Sequence, residues 1–176
     1  MLQLGIRLFA RRPVDEISID EVAEAAGISR GLLYHYFGGK HGFRLAVVRQ
    51  AAEEFVAATA PPPIQDPVER LAASIGAYVD YVDANPEGYS SLVRAAVAGD
   101  PEMRSVYVDS RVALADRVLG LGLLDQIADP VTARLLVRGW LSMAEEIVLA
   151  WQEPDSGVDK DQVKALLVAT VANLVS

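Results

Sequence analysis

No cysteine occurs among the 176 residues, which rules out a disulfide framework and a thiolate metal centre. Histidine is almost as scarce. His35 and His41 stand six apart, not the three or four that would set two ligands on one helical face, so no metal and no cofactor is expected. There is no GxSxG, Walker or dinucleotide glycine pattern, and this argues against an enzyme. No run reaches the roughly eighteen apolar residues of a membrane helix. No charged-then-apolar leader ends in a small-residue cleavage site. A cytoplasmic protein without membrane contact is therefore expected. No stretch alternates with period two for long enough to make a strand, so the expected fold is all-α.

Basic residues are also in deficit, 16 Lys and Arg against 24 Asp and Glu, for a net charge of −8. That balance is unpromising for a nucleic-acid binder until it is divided along the chain. Met1–Gln50 carries seven basic and five acidic residues, whereas Ala51–Ser176 carries nine and nineteen. Affinity for DNA follows the local cationic face rather than the total, so the N-terminal excess is the part that counts. The acidic remainder favours solubility and discourages adventitious contact with DNA.

What is present centres on Ser18–Lys40, SIDEVAEAAGISRGLLYHYFGGK. Ser18 with Glu21 three residues on makes a capping box. Val22, Ala23 and Ala26 give the helix that follows an apolar face, and Gly27 ends it. Ser29 caps a second predicted helix, Arg30–Phe37. Two short helices joined by a Gly-containing turn form a helix-turn-helix. Ile19, Val22, Ile28, Leu33 and Phe37 are its expected core. Arg30, Tyr34, His35 and Tyr36 are left exposed, with donors and rings suited to phosphates and base edges. Arg30 falls in the first turn of the second helix, the part that reads the major groove, and its fork suits guanine.

The run SIDEVAEAAGISRGLLYHYFGGKHGF, and LYHYFGGK within it, resembles the DNA-binding domain of TetR-family transcriptional repressors over about Leu4–Val48. The resemblance implies that Tyr34 packs on the DNA backbone or a thymine methyl and that Lys40 meets a phosphate at a helix start. Ser18, Ser29 and Gly31 are further candidates for phosphate contact, and His35 for donation to phosphate. Leu32 stands where many relatives carry a small or polar base-contacting residue; it either touches a thymine methyl or contributes nothing.

The rest of the chain reads as helices punctuated by proline. Met1–Arg12, with Leu4, Leu8 and Phe9 on one face, is the end of a helix stopped by Pro13; relatives have a longer first helix. A helix from about His41 to Thr59 carries Phe43, Val47 and Phe55 and is broken by Pro61-Pro62-Pro63. Asp66-Pro67, Asn85-Pro86, Asp100-Pro101 and Asp129-Pro130 each read as an N-cap followed by proline at the first helical position. The first of these opens a stripe of Val68, Leu71, Ala72, Ile75, Val79 and Val82; the second carries Tyr89, Leu92, Val93 and Ala96. A last helix begins at Asp159. Nine helices are expected, in a DNA-binding domain over residues 1–48 and a regulatory and dimerisation domain over 49–176.

The two C-terminal helices are apolar nearly all round, which requires burial on more than one side. Two from each chain would make a four-helix interface across a two-fold axis, as in the family, with Leu136, Val148, Val163, Leu167, Val171 and Leu174 as expected contacts. The family also implies an effector. Tyr78, Tyr81, Tyr89, Arg94, Tyr107, Trp140, Met143 and Glu145 are the expected lining for an apolar or aromatic small molecule. Glu145-Glu146 otherwise reads as one solvated carboxylate and one paired with Arg134 or Arg138. The expected function is a homodimeric repressor that binds a palindromic operator and is released by a small molecule. The alternative is a helical bundle with an interaction or enzymatic role and no DNA.

Overall fold

The computed structural model describes residues 18–95, 97, 99–125 and 129–175, without the side chains of Ala95 and 172–175; the helix expected over Met1–Arg12 and the position of Ala96 lie outside it. Among the described residues all regular structure is helical, in eight helices. They are α1 (Ile19–Ala26), α2 (Arg30–Phe37), α3 (Lys40–Ala58), α4 (Pro67–Ala84), α5 (Pro86–Ala95), α6 (Pro101–Leu119), α7 (Pro130–Trp151) and α8 (Lys160–Val175). The chain divides into two compact units, Met1–Glu54 with Ala84–Asp109, and Phe55–Asp83 with Ser110–Ser176.

Helix starts follow side-chain chemistry. Asp66, Asp100 and Asp129 each accept two backbone N–H bonds of the turn they open, at 2.8–3.2 Å, ahead of the prolines at the first helical positions. A proline there gives up only an N–H that would have no partner inside the helix.

In the first unit the core combines Ile19 and Val22 of α1, Leu33 of α2, and Phe43, Val47 and Val48 of α3. Tyr89 and Leu92 of α5 and Met103 and Val106 of α6 are buried as well. Ile28 and Phe37 are half-buried. The joint between α2 and α3 is tight. Gly38 ends α2 with φ 70° and Gly39 follows with φ 129°, values that favour glycine. At Gly42, inside α3, a Cβ atom would collide with the Phe37 carbonyl oxygen. Phe37 and Phe43 then meet edge to face, centroids 5.2 Å apart. The end of α2 and the first turn of α3 thus pack at backbone contact.

In the second unit α4 buries Leu71, Ile75, Val79 and Val82. Val68, expected in that stripe, lies in the first turn and is exposed; the buried face begins one turn later. The α7 face of Ala133, Val137, Trp140, Leu141, Ala144 and Val148 is buried, as are Val163, Leu167 and Val171 of α8. Ion pairs fasten the edges: Lys160 and Lys164 of α8 reach Asp80 of α4 at 3.2 and 2.8 Å. Arg117 donates to the Val56 carbonyl (2.8 Å) and the Thr59 hydroxyl (3.1 Å), so a cation meets the carbonyl end of α3, where the helix dipole favours one.

Candidate nucleic-acid interface

Two serines and two glycines build the motif. Ser18 Oγ accepts from Glu21 N–H at 3.1 Å, and Ser29 Oγ from Leu32 N–H at 3.2 Å. Gly27, at φ 66°, and Gly38 close α1 and α2 in the left-handed conformation that leaves their N–H groups free to bond back to the helix. Leu33, fully buried, anchors α2 to α1 beneath it.

With about 100° per residue, the inward turn of Leu33 and Phe37 points Gly31 and His35 outward, with Tyr34 on one flank, Leu32 and Tyr36 on the other, and Arg30 nearer the α1 side. All nine residues expected at the interface are exposed: Ser18, Ser29, Arg30, Gly31, Leu32, Tyr34, His35, Tyr36 and Lys40. Tyr34 lies along Gly39, so that its ring carbons would be 3.7 Å from a Cβ placed there, which holds the ring beside Lys40 at the start of α3. His35 and Tyr36 meet edge to face at 5.8 Å. Arg30 is ion-paired with Asp20 of α1, both side chains largely exposed. Sequence reasoning passed over Asp20; its only signal was an acidic residue in the first turn of α1.

Residues 2–47 match the family described as bacterial regulatory proteins, tetR family, and residues 67–174 match the tetracyclin repressor-like C-terminal domain. The chain belongs to the TetR family. It is a helix-turn-helix transcriptional regulator. A TetR-family regulator from Streptomyces coelicolor superposes with TM-score 0.86 at 33% identity, over 98% of this chain and 77% of that one. The transcriptional activator FasR of Mycolicibacterium smegmatis is 25% identical over 92% of this chain and 74% of its own length. The fold also matches FadR of Bacillus subtilis in complex with stearoyl-CoA, at TM-score 0.73 and 16% identity, over 99% of this chain and 96% of FadR.

Beyond the TetR-family motif, the expected effector residues fall in several places. Tyr89 is buried, Tyr107 half-buried, and Arg94 donates to Ser91 at 3.2 Å and pairs with Glu87 at 3.7 Å, all in the first unit. In the second unit Tyr78 and Tyr81 pack on Phe55 at 5.7 and 5.2 Å. Trp140 is buried and donates from Nε1 to Thr170 Oγ1 at 3.1 Å, whereas Met143 is exposed. Glu145 pairs with Arg111 at 3.5 Å rather than with Arg134 or Arg138; Arg134 goes to Asp116. Arg111 also donates to the Leu141 carbonyl and the Ser142 hydroxyl, a link from α6 that helical spacing within α7 cannot show.

Most residues expected at the subunit contact are buried within the protomer. Val148, Val163, Leu167 and Val171 are at most 9% exposed within the protomer and fill its own core, and Leu136 is half-buried. Burial of that face leaves Leu135, Met143 and Leu166 exposed on the same two helices. The side chain of Leu174 lies outside the described residues.

His41, next to Lys40 in the first turn of α3, is clamped between two carboxylates. Its Nδ1 lies 3.3 Å from Asp100 Oδ2, and its Nε2 3.0 Å from Glu102 Oε2. A ring that faces a carboxylate at each nitrogen donates twice, which fits an imidazolium. The hydrogen bond to Glu102 first, then the charge of Asp100, raises His41 above its ordinary 6.5, against a lowering by Arg44. A raised native pKa contributes stability that is complete below the unfolded value and is lost as pH climbs through the native one. The urea midpoint of the wild type should therefore exceed that of His41→Gln most at about pH 5 and approach it by about pH 8. Equal differences across that range, or a His41 ring that titrates below 6.5 by NMR, would contradict the clamp.

Proposed function

We propose that this regulator is a homodimeric repressor that binds a palindromic operator and is released by an apolar or aromatic small molecule, with residues 1–48 as its DNA-binding domain and 49–176 as its regulatory domain. The observation that carries the DNA-binding half is the outward face of α2, which groups Arg30, Leu32, Tyr34, His35 and Tyr36 with Lys40 beside it. Arg30 reads guanine and Lys40 holds a phosphate, so their losses should differ. Arg30→Ala should cost about 1–3 kcal/mol on operator DNA and flatten the preference at one base pair. Lys40→Ala should weaken every sequence alike and lower the salt slope by about one. Equal losses on operator and random duplex for both variants would remove these roles.

Dimerisation is supported by the apolar side chains that α7 and α8 leave uncovered. Leu135, Met143 and the exposed Gly139 border a groove of about 570 Å³ with Trp140 and Thr170. A second copy laid there covers the apolar surface, and a two-fold dimer sets two α2 helices on half-sites one helical turn apart. Leu166→Arg leaves the protomer core untouched, since Leu166 is exposed. It should yield a folded monomer by light scattering with collapsed operator affinity. A dimer that survives the change, or a monomeric wild type, would end this arrangement.

The effector half rests on a void of about 20 Å³ within the second unit, lined wholly by apolar side chains that include Leu71, Leu124, Leu136, Val137 and Trp140. A space that small holds no effector as it stands, so binding would widen it, and the widened conformer is the one that leaves DNA. The stearoyl-CoA bound by FadR makes an acyl chain a reasonable first probe. Stearoyl-CoA or an aromatic acid should raise the melting temperature and weaken operator binding; a tenfold weakening is about 1.4 kcal/mol of coupling, and operator must weaken the ligand equally. If no apolar or aromatic compound shifts the melt while a polar metabolite does, the effector class is wrong.

A further inference from the structure

An exposed leucine is ordinary on a protein surface, so Leu32 matters only for where it stands. Its backbone N–H is fixed by the Ser29 hydroxyl at 3.2 Å, which locks the residue in the first turn of α2. That is the turn whose side chains reach base edges in a helix-turn-helix. The side chain points away from Leu33 and Phe37 and keeps 40% of its surface exposed. Its neighbour Gly31 has only Ser29 Oγ, 3.9 Å away, near the place of a Cβ, so no side chain holds the helix away from the bases on that side. The sequence of α2, RGLLYHYF, contains no Asn or Gln to bridge adenine and no Asp or Glu to accept from cytosine. Arg30 supplies a reader for guanine. Among the remaining major-groove features, the 5-methyl group of thymine is the one read by apolar contact alone.

We infer that Leu32 is the specificity-determining residue for thymine: its side chain packs on a thymine 5-methyl group next to the guanine read by Arg30. This rests on α2 as the DNA-reading helix. The test uses full-length protein and a duplex selected by it from a random pool. Thymines are replaced one at a time by deoxyuridine, which removes the methyl group and leaves every hydrogen bond in place. Wild type should lose about fourfold in affinity at one thymine per half-site, the worth of one buried methyl-sized group. Leu32→Ala should bind the two duplexes equally there. Leu32→Gln should move the preference at that pair toward adenine, and a gain of that kind cannot come from misfolding. Indifference of wild type to deoxyuridine at every position overturns the inference while selected binding still upholds α2. A methyl effect that persists in Leu32→Ala, or a thymine preference retained by Leu32→Gln, overturns it too. Failure to select any duplex overturns both.

Discussion

The close contact between Gly42 and the Phe37 carbonyl sets the geometry of the DNA-binding face. Helix packing ordinarily passes through side chains that can adjust. Here backbone meets backbone, and any side chain at 42 would force the two apart. The Gly38-Gly39 turn makes the approach possible, and the edge-to-face pair of Phe37 and Phe43 fills the space beside it. The orientation of α2 is therefore inherited from the first turn of α3. Whatever holds that turn holds the reading face.

His41 gives the same turn a second tie. Asp100 does two jobs, since its Oδ1 caps α6 and its Oδ2 faces His41. The start of α6 and the start of α3 are thereby joined through one carboxylate. At the other end of α3, Arg117 of α6 donates to Val56 and Thr59. These bonds carry direction as well as charge. Surface ion pairs are individually weak, and the ones at His41 are exposed. What they add is direction, since each fixes a particular pair of atoms at hydrogen-bond distance.

Legibility in the sequence followed range. Caps, glycine stops and Asp-Pro starts act within four residues, and the bounds of α1 and α2 came out as the residues require. The exposed set on α2 was equally legible, because two inward positions, the buried Leu33 and the half-buried Phe37, fix the rotation of an eight-residue helix. Contacts that span the chain were not. Arg111 lies 34 residues from Glu145, and His41 lies 61 from Glu102; no local pattern joins them. The α7 and α8 faces failed for a different reason. A helix apolar all round offers no periodicity from which to choose its inner face, so Leu167 and Leu166 look alike until one is buried.

Charge bears on how this TetR-family protein meets DNA. Of the seven basic residues in the first fifty, Arg7, Arg11 and Arg12 lie outside the described residues, and Arg30 is already shared with Asp20. Counterion release scales with the number of phosphates neutralised, so each cation that meets the duplex adds sequence-independent affinity. The Asp20 partner bears on discrimination. If Arg30 reads guanine as proposed, it would exchange one carboxylate for a bidentate fork there, and on any other base it would give up the ion pair for less. On the proposed reading, contacts that do not depend on charge, from the exposed rings of Tyr34 and Tyr36 and the side chain of Leu32, would add to the affinity once for each α2 that reaches the duplex.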